Sequence, residues 1–402
     1  MYIERTLSKI VQDVTGTFPV VLIIGPRQVG KTTIFEKNRE ESRSYVTLDD
    51  PLVRDLAKND PALFLQSYKT PLLIDEIQYA PELFPHIKMI VDREKRNGLF
   101  WLTGSQQFHL MKNVSETLAG RVAILELQGL SRIEKRSQPN AAPFLPGAEL
   151  SALGESMDII QVYDVIIKGS YPALFAISGM DRSIFYASYL KTYIERDIRD
   201  LVRVADEHSF IKFIKVAAAR TGQLLNYSDM AKDVDVSVNT IKSWISILET
   251  SGLIYLLKPY HNNITNRVVK TPKLYFLDTG LCCYLSGWDS AGALSNGAMG
   301  GAILETYVVS EIIKSYLHNG KQAPLYFYRD KEKKEIDLLI ESNGIFYPIE
   351  IKRTASPKFS DVKNFEVLKR LGVQAGKGAL VCFYEKPLPL NREVDIIPVG
   401  YI

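Results

Sequence analysis

The sequence has little cysteine and no long apolar run. Its 402 residues include three cysteines, of which Cys282 and Cys283 are adjacent and Cys382 is distant. This number and spacing fit neither a disulfide scaffold nor a cysteine-based metal site. The longest apolar runs, such as 19–24, are far shorter than the roughly 18 to 20 residues of a membrane-spanning helix. Residues 1–5 lack the apolar stretch of a signal peptide, so we expect a soluble, cytoplasmic protein without a membrane partner.

An excess of charge of either sign is also missing. The chain has 49 Lys and Arg against 46 Asp and Glu, a net charge of +3. This balance excludes a protein that binds nucleic acid along a uniformly basic surface, so any contact with nucleic acid must be local. The length exceeds the roughly 250 to 300 residues at which a single core stops growing, which predicts two or three domains.

The first 130 residues alternate short apolar runs with helix-length segments. The runs that we interpret as strands are 19–24, 44–48, 71–75, 99–103 and 122–127. Strands separated in this way predict a parallel sheet with helices on both faces. A stretch rich in Pro, Gly, Ala and Ser, 137–156, then predicts a linker.

A phosphate-binding motif directly follows the first predicted strand. The segment from Gly25 to Thr32 has the pattern glycine, four residues, glycine, lysine and a hydroxyl residue. Such glycines let backbone N–H groups surround phosphate oxygens at a helix N-terminus. We expect Lys31 to reach the β and γ phosphates and Thr32 to offer its hydroxyl to Mg²⁺. The predicted nucleotide-binding residues are Gly25, Pro26, Arg27, Gln28, Val29, Gly30, Lys31, Thr32 and Thr33.

The third predicted strand ends in two carboxylates, Asp75 and Glu76. We expect Asp75 to hold the Mg²⁺ shell and Glu76 to orient or deprotonate the attacking water. This pair is typical of an ATP hydrolase rather than a small-molecule kinase, which needs no such base. The next strand ends in small polar residues, among which Ser105 is the predicted γ-phosphate sensor and Thr103 and Gln106 are alternatives.

These segments resemble AAA+ ATPases, specifically a prokaryotic group with this P-loop and an Asp-Glu-Ile-Gln Walker B segment, here 75–78. The resemblance implies an ATPase that uses ATP and Mg²⁺. The group also has a Leu-X-Gly-Arg segment, matched by 118–121. It implies that Arg121 faces the γ phosphate, in its own subunit or across a homo-oligomer interface. Arg196 and Arg199 are rivals, and Arg121 equally fits a surface position at a helix end.

The middle of the chain has the pattern of a winged helix-turn-helix, which the same group carries after its ATPase core. Segment 227–231 begins one helix with Ser228 as its N-cap, 237–248 forms the second, and 252–257 begins the wing. DNA recognition would need basic residues on the second helix, which carries only Lys242. A spacer or dimerisation surface is therefore the favoured alternative to DNA binding.

A two-residue hairpin is predicted at Asn343 and Gly344, between the strands 335–341 and 345–352. This turn would pair Asp337 with Glu350, and Glu335 with Lys352. Facing carboxylates destabilise a sheet unless they are neutralised. A divalent metal would neutralise them, and Lys352 would then orient or deprotonate a water.

A helix (303–317) and a strand (325–329) precede this hairpin, and a helix (360–371) and a strand (378–384) follow it. This order, with Asp, twelve residues and Glu-X-Lys, resembles the PD-(D/E)XK restriction-endonuclease-like superfamily. The resemblance implies catalytic roles for Asp337, Glu350 and Lys352, with Glu305 as an additional carboxylate that helps Asp337 and Glu350 bind a second Mg²⁺ or Mn²⁺. The alternative is the solvated face of an amphipathic hairpin or a degenerate site. Pro348 is unusual in a central strand and predicts a bulge or an edge.

We therefore predict an α/β protein with a P-loop AAA+ parallel-sheet core (1–136), a linker and lid-like helical segment (137–208), a winged helix-turn-helix (209–262) and a restriction-endonuclease-like domain (263–402). The expected function is Mg²⁺-dependent ATP hydrolysis coupled to a DNA-directed nuclease-like domain. The alternative is an ATP-switched regulatory or partner-binding protein whose nuclease-like domain is inactive. ATP is the expected ligand, and DNA and further copies of the chain are candidate partners.

Overall fold

Two α/β regions are joined by a helical middle in the structure, a computed structural model that describes residues 2–105, 114, 116–139, 141–148, 154–193, 207–260 and 270–402. No helix in these ranges is long and apolar enough to cross a membrane. All three cysteines are buried and free. Gln106, Arg196 and Arg199 lie outside the described residues.

The amino-terminal region is built on a parallel five-stranded sheet of order β2-β3-β4-β1-β5. Its strands are β1 (Val20–Ile24), β2 (Ser44–Thr47), β3 (Leu72–Asp75), β4 (Phe100–Gly104) and β5 (Val122–Glu126). The helices that accompany it are α1 (Leu7–Thr15), α2 (Lys31–Asn38), α3 (Pro51–Asn59), α4 (Pro61–Ser67) and α5 (Leu83–Glu94). The predicted parallel sheet is confirmed. Every residue of β1 and β4 is buried, because helices cover both faces of the sheet.

The middle of the chain is mainly helical. Its helices are α6 (Arg132–Lys135), α7 (Ile159–Lys168), α8 (Ala173–Ala176), α9 (Arg182–Tyr193), α10 (Glu207–Ala218), α11 (Tyr227–Val234) and α12 (Val238–Thr250). A small antiparallel sheet of order β6-β8-β7 accompanies them, with β6 (Gln223–Leu224), β7 (Ile254–Leu257) and β8 (Lys273–Phe276). The N-cap of α11 is Asn226, whose side chain accepts from the backbone N–H groups of Ser228 and Asp229 at 3.1 and 3.2 Å. The prediction of Ser228 as the cap was therefore wrong, since helix α11 begins at Tyr227, two residues earlier than that cap requires.

One apolar core joins the helical middle to the first sheet. Val21 and Ile23 of β1 belong to the same buried cluster as Phe210 of α10 and Trp244 of α12. Tyr186 and Tyr189 of α9 are buried in it too. The helical middle is therefore packed directly on one face of the sheet.

The carboxy-terminal region begins with α13 (Thr279–Ser286), α14 (Ala291–Asn296) and the long helix α15 (Gly300–Leu317). Its sheet has the order β14-β15-β13-β11-β10-β9, with β12 beside β11. The strands are β9 (Leu325–Arg329), β10 (Glu335–Ser342), β11 (Ile345–Ile351), β12 (Gln374–Ala375), β13 (Gly378–Cys382), β14 (Leu388–Pro389) and β15 (Val394–Pro398). The predicted helix 360–371 is a 3-10 helix, Phe359–Phe365, followed by α16 (Glu366–Arg370).

The hairpin β10–β11 has the predicted register from Ser342–Ile345 as far as Leu338–Ile349. Its turn residues Asn343 and Gly344 have φ of 53° and 76°, as a type I′ turn requires. The ladder stops there, so the predicted pairings of Asp337 with Glu350 and of Glu335 with Lys352 are both wrong. Glu335 instead pairs with Arg329 of β9, after a register shift between Ile336 and Leu339.

Pro348 is compatible with a central strand at its position in β11. On one side of β11, β12 adjoins Ile345 and Phe346, and β13 adjoins 349–351. Residues 347 and 348 fall between these two partners, where no parallel ladder needs the missing N–H. The predicted bulge or edge is thus replaced by a gap between two neighbouring strands.

The Pro-, Gly- and Ala-rich stretch packs on the carboxy-terminal region. The backbone N–H of Phe144 donates to Ser315 Oγ at 3.0 Å, and the Tyr316 hydroxyl donates to the Phe144 carbonyl at 3.0 Å. Both partners lie on α15, and Phe144 is part of the core around that helix. Helix α7 belongs to the same core.

A buried ion pair connects the two α/β regions. Arg5 Nε lies 3.2 Å from Glu134 Oε2, and His318 Nδ1, at the end of α15, lies 3.3 Å from Glu134 Oε1. Arg5 also donates to the carbonyls of Val29 and Gln128 at 2.8 and 2.7 Å. Burial opposes ionisation of Glu134, but Arg5 and His318 outweigh it and hold its pKa well below the usual range.

Replacing Glu134 with Gln should lower the free energy of unfolding by about 3 to 5 kcal/mol at neutral pH, because the change leaves the Arg5 charge buried without its partner. Since the folded-state pKa of Glu134 is depressed, its contribution is complete above the unfolded-state value of about 4.3 and is lost as pH falls below it. Urea unfolding of both proteins between pH 2 and pH 8 measures this difference and its loss in acid.

The control is Glu94→Gln, which removes a partly exposed partner of Arg96 and should cost about 0 to 1 kcal/mol. Equal stability of wild type and Glu134→Gln at pH 7 would contradict the role of this ion pair.

Candidate functional site

The P-loop backbone curves from the end of β1 to the beginning of α2. Gly25 has φ of 149°, and a Cβ there would lie 2.0 Å from the carbonyl oxygen of Leu127. Gln28 and Gly30 have φ of 60° and 92°, in the left-handed region. This path directs the first N–H groups of α2 toward the loop, the arrangement that binds phosphate. Glycine is required at position 25 because no side chain fits there.

Lys31 is the first residue of α2 and is buried. Its Nζ donates to the carbonyl oxygens of Gly25 and Pro26 at 3.1 and 2.8 Å. The ammonium group therefore lies within the curve of the loop. This position agrees with its predicted role as a phosphate-binding cation.

Asp75 lies where the ends of β3 and β4 meet α2. The Thr32 hydroxyl donates to Asp75 Oδ1 at 2.6 Å, and the Thr103 hydroxyl donates to the same oxygen. Burial raises the pKa of Asp75, although both hydroxyls favour its ionised form. The sequence predicted that Thr32 and Asp75 share one Mg²⁺ shell, and the structure brings these two oxygens into contact.

Glu76 has a left-handed backbone, with φ of 56°, immediately after β3. Its N–H donates to Thr103 Oγ1 at 3.0 Å. Its carboxylate accepts from the Gln78 amide, and the Ser105 hydroxyl lies 3.3 Å from its Oε2. Glu76 and the predicted sensor Ser105 are thus neighbours, whereas Thr103 is engaged with Asp75. Gln78, for which no role was predicted, donates to both the Glu76 carboxylate and the Ser105 hydroxyl.

Arg121 lies at the amino-terminal ends of the strands, whereas the P-loop lies at their carboxy-terminal ends. It precedes β5, whose first residue Val122 pairs with Val20, while the P-loop follows Ile24 at the other end of β1. Its guanidinium binds Asp92, with Nε 2.6 Å from Oδ1. The predicted contact with a γ phosphate in the same subunit is therefore wrong. A contact across an oligomer interface remains a prediction.

A cavity of about 340 Å³ lies beside the P-loop. Its lining includes Val29, Gly30 and Thr33 from the loop and α2, together with Tyr2, Pro172 and Ala173. The last three were not predicted from the sequence because they are distant from the motif along the chain. The predicted binding residue Thr33 faces this cavity.

In the carboxy-terminal region, Asp337 and Glu350 are 9% and 4% exposed. Asp337 Oδ2 accepts from the N–H of Ile351 at 2.8 Å, and Lys352 Nζ donates to Glu350 Oε1 at 2.6 Å. Glu350 Oε2 has no hydrogen-bond partner among the described residues. The structure thus groups the three predicted residues, and the solvated-face alternative is wrong because both carboxylates are buried.

The charges in this group shift one another's pKa values. Burial, followed by the charges of Glu305 and Glu350, raises the pKa of Asp337 well above its usual value. Burial also raises the pKa of Glu350. Burial alone would lower the pKa of Lys352, but the Glu350 carboxylate outweighs it and raises that pKa. This combination of buried acids and a neighbouring lysine is frequent in functional sites.

Glu305 does not share a ligand position with Asp337 and Glu350. Its Oε1 lies 2.9 Å from Lys273 Nζ and accepts from the Tyr275 hydroxyl at 2.6 Å. In the described ranges no three His, Cys, Asp or Glu side chains are arranged to hold a metal ion. Glu305, Asp337 and Glu350 are therefore not assembled as a three-carboxylate metal site in this conformation. Glu305 binds Lys273 instead. Lys273 was missed because it begins an apolar strand of the middle region.

Asp278, in the segment after β8, has a structural role. Its carboxylate caps α13 through the N–H of Leu281 at 2.6 Å. It also accepts from the N–H of Ser170 at 2.6 Å and the Tyr186 hydroxyl at 2.8 Å. Asp278 therefore holds α9 and α13 together, as a buried cap.

Sequence comparisons agree with this geometry. Residues 17–135 match the AAA domain family, and 160–292 and 300–402 match the domains of unknown function DUF8612 and DUF4143. The uncharacterized proteins Rv2008c of Mycobacterium tuberculosis and Mb2031c of Mycobacterium bovis are each 30% identical over 385 residues. The alignment covers 96% of this chain and 81% of each relative. This chain belongs to their family of AAA-domain proteins.

The solved structures that resemble this chain are less similar to it in sequence than the two mycobacterial relatives. The Walker-type ATPase PABY2304 of Pyrococcus abyssi has a TM-score of 0.45 and 14% identity, over 71% of this chain and 96% of that one. RuvB of Thermotoga maritima has a TM-score of 0.30 and 19% identity, over 63% and 88%. The family assignment therefore rests on the sequence matches. The AAA-domain match and the P-loop geometry support an ATP-binding ATPase of the AAA type.

Proposed function

We propose that this protein binds ATP with Mg²⁺ at the P-loop and hydrolyses it. The observation that carries the proposal is the 2.6 Å contact between the Thr32 hydroxyl and the Asp75 carboxylate. These oxygens come from α2 and β3, and each is a hard ligand of the kind that Mg²⁺ prefers. The contact of these two oxygens beside the P-loop supports a nucleoside triphosphate site with a phosphate-binding part and a metal-binding part.

The phosphates would bind at the N-terminus of α2. The backbone N–H groups between Gly25 and Lys31 and the positive end of the helix favour an anion there. Lys31 Nζ, now bonded to two loop carbonyls, would exchange these neutral acceptors for phosphate oxygens, which are stronger partners for an ammonium group.

The base and ribose would occupy the cavity beside the loop. Its volume of about 340 Å³ and its lining by Val29, Pro172 and Ala173 suit a flat, largely apolar group. Because α8 supplies part of this lining, bound nucleotide would contact the helical middle as well as the P-loop. The adenine position is thus proposed from the cavity rather than from the motif.

Glu76 would orient or deprotonate the water that attacks the γ phosphate. Its carboxylate is held by Gln78 and lies 3.3 Å from the Ser105 hydroxyl, so it is fixed beside the predicted sensor. Bound Mg²⁺, held by Thr32 and Asp75, would neutralise charge on the phosphates. The protein side chains thus divide into one group for the metal and another for the water.

Two substitutions test these roles separately. Lys31→Ala should lose ATP binding because it removes the phosphate-binding cation. Glu76→Gln should bind ATP normally but hydrolyse it about 10² to 10⁴ times more slowly, because an amide cannot accept the proton. Equilibrium ATP binding and steady-state phosphate release measure both effects.

The matched control is Lys58→Ala, which removes an exposed lysine on α3 and should change neither quantity. Unchanged turnover in Glu76→Gln would remove Glu76 from its role, and unchanged ATP affinity in Lys31→Ala would contradict the proposed site.

A second candidate function is metal-dependent cleavage of phosphodiesters by the carboxy-terminal region. The observation that favours it is Glu350 Oε2, a buried oxygen without a hydrogen-bond partner among the described residues, beside Asp337 and Lys352. Such an oxygen is costly unless a ligand or ion binds it. Asp337 and Glu350 would hold a divalent metal, with Lys352 near the attacking water. The competing proposal is that this fold is inactive and recognises a partner under the control of ATP.

The middle region would present DNA in the nuclease proposal. Helices α11 and α12, followed by the antiparallel strands β7 and β8, have the order of a winged helix-turn-helix. Ser237 caps α12 through the N–H of Thr240 at 3.0 Å. Because the second helix carries only Lys242 as a basic residue, a spacer or dimerisation surface is still favoured over a sequence-reading helix.

Plasmid DNA, ATP and Mg²⁺ or Mn²⁺ distinguish the two proposals. Wild type should nick supercoiled plasmid, and a Glu350→Ala, Lys352→Ala double variant should not, because it removes a metal ligand and the positioning lysine. Nicked and supercoiled plasmid are separated on a gel, and plasmid treated with the Lys58→Ala control is run beside them. Equal nicking, or no nicking by any of the proteins, would sink the nuclease proposal and leave partner recognition.

A further inference from the structure

Lys273 occupies the centre of the carboxylate cluster, which we define as Glu305, Glu335, Asp337 and Glu350. Its Nζ lies 2.6 Å from Glu335 Oε1 and 2.9 Å from Glu305 Oε1. The lysine is 3% exposed, so these two carboxylates are its ionic partners rather than water. An ammonium group therefore stands among acids that the sequence analysis linked to a metal.

The surroundings of Lys273 make this arrangement specific. The charges of Glu305, Asp337 and Glu335 outweigh burial and raise the pKa of Lys273 above its usual value, so the ammonium stays charged. The Tyr275 hydroxyl donates to Glu305 Oε1 at 2.6 Å from the same strand. Arg329 Nη1 lies 3.0 Å from the second oxygen of Glu335. Glu305 and Glu335 are thus satisfied by protein groups.

The other half of the carboxylate cluster is less satisfied. Glu350 is 4% exposed, its Oε1 accepts from Lys352, and its Oε2 has no hydrogen-bond partner in the described ranges. Asp337 interacts electrostatically with Lys273 as well as with Glu305 and Glu350. The four acids therefore form one electrostatic group, and one oxygen in it still needs a donor or a cation.

Lys273 reaches the carboxylate cluster from outside the carboxy-terminal sheet. It begins β8, which pairs with β6 and β7 of the middle region. Thr221, just before β6, accepts from the N–H of Phe276 in β8 at 3.3 Å, and its hydroxyl lies 2.8 Å from the Thr306 hydroxyl of α15. Movement of β8 relative to α15 would thus change the distance between Lys273 and Glu305.

We propose that Lys273 is a built-in cation that blocks the carboxylate cluster and must be displaced before a divalent metal binds Glu305 together with Asp337 and Glu350. The inference rests on the metal site proposed above for the carboxy-terminal region. It explains why no three carboxylates in the described residues converge as metal ligands. In this conformation the middle region holds the site closed to metal.

Mn²⁺ binding to Lys273→Met tests the proposal without measuring cleavage. Methionine keeps the length and apolar stem of lysine but removes the charge. The variant should bind Mn²⁺ at least about tenfold more tightly than wild type, because a positive charge within a few ångströms of the metal position is gone. Its melting temperature should also rise more with Mn²⁺ than that of wild type.

Three further proteins are compared in the same titration. Lys314→Met removes another buried lysine, the partner of Glu311 at 2.8 Å, and should leave Mn²⁺ affinity unchanged. Lys273→Arg keeps the charge and should also stay near wild type. Lys273→Met combined with Glu350→Ala should lose the gain, because a proposed ligand is missing.

Each outcome decides the proposal. Equal Mn²⁺ affinity of wild type and Lys273→Met overturns it, and so does a Lys273→Met protein that stays unfolded with or without Mn²⁺. A variant that folds only with Mn²⁺ supports it, because the metal then replaces the ammonium group. A gain in affinity without any nicking refutes the nuclease alone. Nicking by wild type with unchanged affinity in the variant refutes only the blocking lysine.

Discussion

The buried ion pair between Arg5 and Glu134 is the interaction on which the rest of the arrangement depends. Removing two charges from water is costly, so such a pair persists only where further hydrogen bonds satisfy both groups. Arg5 meets this condition by binding the Val29 and Gln128 carbonyls, and Glu134 by accepting from the N–H groups of Thr6 and Ser131. His318 adds the end of α15 to the same group. The pair therefore fixes three parts relative to one another: the P-loop, the segment that follows β5 and the carboxy-terminal region.

The nucleotide site follows from the geometry of the parallel sheet. Parallel strands present their carboxyl ends along one edge, so residues that are far apart in sequence meet there. Thr32, Asp75 and Thr103 converge at this edge on a single carboxylate oxygen. Arg121 lies at the other edge because it precedes its strand rather than following it. A role for Arg121 in hydrolysis therefore requires a second copy of the chain.

Local patterns predicted the parts of the structure that depend on local constraints. The apolar runs determined the five parallel strands, and the preference of Asn343 and Gly344 for positive φ determined the turn and the register of β10 and β11. That register ends at Leu338 and Ile349. Beyond this pair, the Asp337 side chain, rather than a backbone carbonyl, accepts from the Ile351 N–H. A register extrapolated from the turn cannot predict that a side-chain oxygen takes the place of a backbone acceptor.

Long-range packing produced the features that sequence reasoning missed. Lys273 and Pro172 reach their sites because the helical middle packs on both α/β regions. Tyr2 lines the cavity from the amino-terminal segment. Nothing in the short strand at Lys273 marks its first residue as the partner of two carboxylates. The P-loop was recognisable because its chemistry needs adjacent residues, whereas the carboxylate cluster combines elements from β8 to β11. Motif spacing is therefore informative for the first site and incomplete for the second.

The central claim is that the contact between Thr32 and Asp75 marks a site for ATP with Mg²⁺. The most direct test is a calorimetric titration of the wild-type protein with ATP, in the presence of Mg²⁺ and again in excess EDTA. The account predicts one saturable class of sites, with an affinity at least about tenfold higher when Mg²⁺ is present, because the metal links the phosphates to both side chains. The absence of saturable binding, or an affinity that is independent of Mg²⁺, would contradict it.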